Sequence, residues 1–329
     1  METSLDLSRW RETPRGVGYR RWTIVISGLR QLFRTRLFVT LLIMAWSAGL
    51  IMAVAGFLFT QSIASDGWLE NLAARFGPRG EAVVTAFSGL VALYPDVCIH
   101  GLFTLSFWAH SFVGLSLSLV ALTMVVPQLI ARDRASNAMT IYLSRPLTST
   151  DYLLGKLGIV VGVLVLMWTG PLVFGWLVSM LLAPDRDFIV YSLTPLLRAL
   201  LFNGIALVVL AAISLGVSAL TRLARVTSIV WIALWLVAGT MAKIPDAPAW
   251  LTRASFSHDL SQVRQQVFRL DEALAAASAQ LPVMNQQLTK SLQSSGQKAQ
   301  ATDPDGAFAG LAILTLLSSA VFFRKLRPE

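Results

Sequence analysis

The sequence predicts an all-α integral membrane protein with six transmembrane helices, an N-terminal interfacial helix, and a helical corner on the cytoplasmic side. Three observations carry this. The 329 residues are 55% hydrophobic and only 14% charged, a balance outside that of soluble domains. Several apolar runs reach the roughly 20 residues that cross a hydrocarbon core about 30 Å thick. Lys and Arg concentrate in alternate connections between those runs, as the positive-inside rule requires.

The elements follow in order. Residues 1–36 form a basic cytoplasmic leader in which Trp22, Ile26, Leu29 and Phe33 recur at helical spacing, with Arg20, Arg21, Arg30 and Arg34 mostly opposite; this is the pattern of a helix lying in the interface. A cleaved secretory signal is not expected, because the leader is long and the run behind it is of spanning length. That run, 37–60, is the first span and a retained signal anchor. In the external segment 61–99, residues 82–94 are apolar but too short to span, which suggests a re-entrant or surface-lying helix ended by Pro95. Spans at 101–130 and 158–183 flank a polar segment, 131–156. A second external segment, 184–197, leads to spans at 199–220 and 226–242. The third, 244–306, holds a polar helical stretch at 257–281 with Leu260, Val263, Val267, Leu270 and Leu274 on one stripe and no Gly or Pro before Pro282 to break it. Its Gln/Ser/Lys-rich part, 285–300, reads as loop or weak helix. The sixth span is 307–323, so 37–329 reads as one six-helix transmembrane domain.

With both termini cytoplasmic, the inner pieces 1–36, 131–156, 221–225 and 324–329 carry 17 Lys/Arg against 6 Asp/Glu, while the rest carries 10 against 12. The inverted topology would reverse the rule. The net charge of +9 is therefore an orientation signal for the cell (inner, cytoplasmic) membrane, which disfavours nucleic-acid binding.

Catalytic and metal chemistry find little support. No G-x-x-x-x-G-K-[ST] phosphate loop is present; Leu154-Gly155-Lys156-Leu157 lacks the upstream glycine and the hydroxyl. There is no G-x-S-x-G elbow. The single cysteine, Cys98, excludes an internal disulfide and a multi-cysteine metal site. Asp96 and His100 share a helix face, but His110 lies about 15 Å further along the same helix and His258 is the only other histidine. A capped helix start and a buried, hydrogen-bonded histidine are favoured over a metal site. No catalytic residue, cofactor or metal is expected in this chain. His110 and Asn203 are the polar residues expected to face the bundle or a pathway. Gly158-x-x-x-Gly162 and Ala212-x-x-x-Gly216 permit close helix approach. The midplane ionisable groups of a secondary transporter are almost absent from the spans.

The segment 131–156, ARDRASNAMTIYLSRPLTSTDYLLGK, is where such a protein meets something soluble. Residues 128–143 contain no breaker after Pro127, so the second helix is expected to run out of the membrane with Arg132, Asp133 and Arg134 at its surface. It stops at Arg145-Pro146, since proline disfavours helix in the preceding residue. Thr148, Ser149 and Thr150 then offer hydroxyl caps ahead of Asp151, whose charge suits a helix N-terminus. Lys156 is expected to anchor the new helix at the lipid headgroups.

This pattern resembles the permease subunits of ABC-2 type ATP-binding-cassette transporters. There, the loop after the second helix begins with an acidic-basic pair, passes through a "lysR/tPl" type turn and ends in "llgK". The matching residues are Asp133-Arg134, Leu143-Ser144-Arg145-Pro146-Leu147 and Tyr152-Leu153-Leu154-Gly155-Lys156; the family often has Glu in place of Asp133. The resemblance implies a pair of permease subunits, as a homodimer or related heterodimer. Each would present this loop as a coupling corner to a separate cytosolic ABC ATPase that holds ATP and Mg and drives export. Arg132, Asp133, Arg134, Arg145, Pro146, Thr148, Ser149 and Asp151 are the residues implied as ATPase contacts or corner-formers. Few charges in the helices suit a hydrophobic or amphiphilic cargo. The alternative is a membrane-embedded assembly or scaffold protein whose loop binds a non-ATPase partner.

Overall fold

The structure, a computed structural model, describes residues 16–63, 75, 77–136, 148–183, 187–241, 255–280 and 304–326. Arg145, Pro146 and the 285–300 segment lie outside them. The described residues are all-helical: α1 (Val17–Phe33), α2 (Arg36–Ile63), α3 (Pro78–Leu93), α4 (Pro95–Leu129), α5 (Ala131–Ala135), α6 (Ser149–Leu164), a π-helical segment (Val165–Thr169), α7 (Gly170–Leu181), α8 (Asp187–Leu220), α9 (Ala224–Met241), α10 (Phe256–Phe268), α11 (Leu270–Gln280) and α12 (Pro304–Leu326). Among the described residues five stretches are long and apolar enough to cross a membrane: 36–61, 95–135, 149–181, 188–220 and 305–324; α9 is a shorter apolar helix. The protein is a multi-pass membrane protein.

The core lies between α4, α8 and the central part of the α6–α7 rod, around Phe107, Leu122, Trp168 and Phe202. Small residues set the helix spacing. Along α2 and α7, a Cβ at Gly49 would stand 2.5 Å from the Pro171 carbonyl oxygen, and one at Gly175 would stand 2.7 Å from the Gly49 carbonyl oxygen. Close backbone approach is what such residues provide where water supplies no driving force between helices. Gly216 of the anticipated Ala212/Gly216 pair sits against the Ser318 backbone of α12. Gly155, Gly158 and Gly162 form a trough on α6 that receives Ile24, Val25 and Leu29 of α1. The expected α1 stripe is thereby divided: Leu29 faces the trough, while Trp22, Ile26 and Phe33 stay exposed and Val25 and Leu32 are the buried pair.

Four local features depart from the sequence expectation. First, the helix leaving the second span is interrupted: α4 ends at Leu129, Ile130 takes φ −122°, ψ −40°, and α5 ends at Ala135, while 137–143 lie outside the described residues. Pro127 weakens the ladder here, and the hydroxyl of Ser218 accepts the Ile130 N–H at 2.9 Å and the Ala131 N–H at 3.4 Å. Second, the third span contains a π-helical turn just before Pro171. Its freed carbonyls find side-chain donors: Trp46 Nε1 donates to Leu166 O at 3.1 Å, and His110 Nε2 lies 3.3 Å from Trp168 O. Third, residues 187–197 of the expected external segment are helical, continuous with the fourth span through Pro195. Arg198, between the 184–197 segment and the span at 199–220, donates from Nη1 to the Phe268 carbonyl at 3.4 Å. Fourth, the 257–281 helix is broken at Arg269, which adopts φ 48°, ψ 46°. A left-handed residue closes a helix without glycine when its neighbours hold it; here Phe268 is buried and its carbonyl is the one Arg198 meets. The helical reading of 82–94 agrees with α3, and Pro95 opens α4 at its first turn.

Gly158→Leu should wedge α1 off its trough, because an added Cβ would stand 2.5 Å from Val25 Cγ2. Overpacking of this kind costs about 1–3 kcal/mol, read as a lower thermal midpoint of the detergent-solubilised protein. Gly204→Ala, which meets no atom within 4 Å, should leave the midpoint unchanged.

Candidate functional site

The described residues among those singled out in 131–156 gather where α4, α5, α6, α8 and α1 meet. The start of α6 is fixed locally. Thr148 and Asp151 form a capping box: the Asp151 N–H donates to Thr148 Oγ1 at 3.2 Å, and the Thr148 N–H donates to Asp151 Oδ2 at 3.4 Å. The Thr148 hydroxyl also donates to that carboxylate at 2.7 Å. Such reciprocal capping satisfies amide donors that a helix start leaves unpaired. The three residues Thr148, Ser149 and Thr150 are exposed.

Asp151 is buried by a second partner. Arg21 of α1 approaches its Oδ1 with Nη2 at 2.5 Å and Nε at 2.7 Å, across 130 residues of chain. The first helix and the start of the third span are therefore joined at their polar ends as well as through the glycine trough.

Asp133 is held in the same inward way. Its Oδ2 lies 2.7 Å from Lys156 Nζ and accepts the Tyr152 hydroxyl at 2.7 Å. Both charged side chains are mostly covered, at 11% and 14% exposure. Lys156 also stands 5.3 Å from the Tyr152 ring centre. Lys156 is thus not a headgroup anchor: a short span-end lysine would keep its ammonium in water, but here the Asp133 carboxylate draws it inward. Arg134 donates from Nη1 to the Ala219 carbonyl at 2.8 Å, beside the Ser218 hydroxyl that takes the α5 amides. Of the charged residues on α5, Arg132 alone is exposed and makes no ion pair or hydrogen bond through its side chain to any described residue.

His110 and Asn203 stand apart from this corner. Both are buried, His110 against the π turn and Asn203 with neither amide atom partnered among the described residues. Asp96 and His100 lie in the first two turns of α4; among the described residues no group of three or more His, Cys, Asp or Glu could hold a metal ion. On the other side of the bundle, Arg264 of α10 is buried under the Phe112 ring at 3.5 Å, and burial lowers its guanidinium to about 10. Sequence reasoning placed Arg21 only on the polar face of the first helix and Tyr152 only within the matched motif, and it did not single out Ser218. A helical Arg in the second turn of α1 and a serine on an apolar helix carry no local signal of their distant partners.

Asp133→Asn should destabilise the protein by about 3 kcal/mol or more, because it strands the Lys156 ammonium in a covered site. Adding Lys156→Met should recover most of that loss in a thermal or denaturant midpoint. Ser218→Ala should cost about 1–3 kcal/mol by leaving the Ile130 amide unpaired.

A family model described as ABC-2 family transporter protein matches residues 112–317, more than half of the chain and including the corner, the third and fourth spans and most of the last helix. No curated protein and no solved structure matches. The chain therefore belongs to the ABC-2 transporter family, as a membrane permease subunit.

Proposed function

We propose that this permease subunit works in an exporter driven by a separately encoded cytosolic ABC ATPase, which docks on the 131–156 loop. The observation that carries the reading is the inward satisfaction of the corner's acids. Asp133 and Asp151 are engaged by Lys156, Tyr152, Thr148 and Arg21, while Arg132 and the three hydroxyl residues at 148–150 face outward. A partner would thus meet a basic and hydroxyl surface on a stiff base. Arg132, Asp133, Arg134, Thr148, Ser149 and Asp151, with Arg145 and Pro146 between them, are assigned as contact or corner residues.

Movement of the corner has three routes inward: through Arg21 to α1, through Arg134 and Ser218 to α8, and directly along α6. Packed helices move as bodies between discrete arrangements, so a displacement at the corner reaches the bundle core. ATP and Mg belong to the partner in this reading. Two such chains, identical or related, enclose the pathway, with His110 and Asn203 as its candidate polar groups and a hydrophobic or amphiphilic compound as cargo.

In the bilayer, α9 serves as the fifth of six spans: its 18 residues cover about 27 Å at 1.5 Å per residue, close to the hydrocarbon thickness. Both termini then face the cytoplasm at the inner membrane, and residues 1–36 precede a transmembrane domain from 37 to 329. The exposed Trp22, Ile26 and Phe33 of α1 suit an interfacial helix, and α3 lies at the outer surface.

The test is affinity purification of the tagged protein from its native host in mild detergent. A phosphate-loop ATPase should be recovered with the parent protein and lost when residues 144–150 become a Gly/Ser linker; recovery of a different partner only would favour the assembly-protein reading. Arg145→Glu should uncouple ATP hydrolysis from transport without impairing insertion. For orientation, an impermeant thiol reagent should reach Cys98 from outside, and labelling confined to the cytoplasmic side would reverse the topology.

A further inference from the structure

Where α1 crosses the end of α4 and the beginning of α6, the helices enclose a cavity of about 550 Å³. Its apolar lining is Ile24, Leu32, Val125, Leu129 and Ile159; its polar lining is Gln31, Gln128, Arg132, Asp133 and Lys156, with Thr23 and Ser27 from α1. Among the described residues the polar lining is rich in donors and poor in acceptors. Its one carboxylate there, Asp133, already receives Lys156 and Tyr152. The Thr23 and Ser27 hydroxyls donate to the Tyr19 and Ile24 carbonyls of their own helix at 2.8 and 2.9 Å. By contrast, the carboxamides of Gln31 and Gln128 and the guanidinium of Arg132 have no protein partner among the described residues.

Two cations against one carboxylate leave the described lining with one net positive charge. Guanidinium and amide N–H groups lining one cavity are donor types that bind a phosphoryl oxygen. The apolar part of the lining would accept hydrocarbon. A ligand that satisfies both is a monoanion with an apolar body.

We propose that this cavity binds a phosphodiester monoanion, with an anionic phospholipid as its occupant, Arg132 as the charged contact, and Gln128 and Gln31 as neutral donors. The site is built from α1, α4, α5 and α6, and it shares Arg132 with the proposed docking surface at 131–156. Its occupant would bridge the first helix to the base of the corner.

The experiment is native mass spectrometry of the full chain, purified in detergent and titrated separately with phosphatidylglycerol, phosphatidylcholine and inorganic phosphate. The parent should retain phosphatidylglycerol in preference to zwitterionic phosphatidylcholine. Arg132→Gln should weaken that binding about tenfold, the loss expected for a hydrogen bond to a charged group. Gln128→Leu, which keeps the charge, should weaken it less, and Arg132→Lys should keep most of it. Arg225→Gln, an exposed cation outside the cavity, should leave it unchanged. Displacement of phosphatidylglycerol by millimolar phosphate would keep the anion site and assign it to a soluble phosphate; no displacement assigns it to the lipid. Equal retention of the two lipids would overturn the proposal. So would equal retention of phosphatidylglycerol by the parent, Arg132→Gln and Gln128→Leu, or an equal loss in Arg225→Gln.

Discussion

Inside a hydrocarbon layer a backbone group released from its helix has no water to turn to, so each departure from regular helix must be met by another part of the protein. This constraint organises the bundle. The chain turns at Ile130 where a serine 88 residues later offers its hydroxyl. The third span widens into a π turn where an indole and an imidazole from two other helices reach the loosened carbonyls. Both irregular points lie on helices that converge near the corner or the core, and each one is also a cross-link between helices. Helix irregularity and helix packing are here the same feature seen from two sides.

Charge obeys a related rule at the polar ends of the spans. A covered ammonium or carboxylate is tolerable only when paired and hydrogen-bonded, and removing one member costs more than the pair gains. Asp133 serves two donors from α6, and Asp151 serves its own cap and an arginine from α1. The Arg21 contact is partly open to solvent, so its energy is modest; its value lies in direction, since it holds α1 over the trough of Gly155, Gly158 and Gly162. Acids that are used internally leave Arg132 as the outward charge of α5 and give the cavity beside it an excess of donors. The basic character of this face follows from how the carboxylates are spent.

Much of this was legible from the chain. The apolar runs marked the long helices because spanning length is a local property. The Thr148/Asp151 cap was legible because its partners are three residues apart, and the Gly158/Gly162 pair marked a packing face because a missing Cβ is informative wherever it falls. The motif around Asp133, Arg145-Pro146 and Lys156 pointed to the family that the match over 112–317 establishes.

Other features depended on partners distant in the sequence. The end of α4 at Leu129 and the inward turn of Lys156 could not be read locally, because Ser218 and Asp133 decide them from other helices. Arg269 breaks a stretch with no breaker of its own, beside a buried phenylalanine whose carbonyl Arg198 engages. The α1 periodicity suggested one apolar face, yet only the trough on α6 determined which of those residues it would cover. The sequence by itself determined the membrane class, the position of most helices, the cap at Thr148 and the family, since each rests on composition or on spacing within a few residues. The tertiary structure decided where helices break, which charges are consumed internally and which remain outward, because those outcomes depend on hydrogen-bond and ion-pair partners that only folding brings within 3 Å or so of one another.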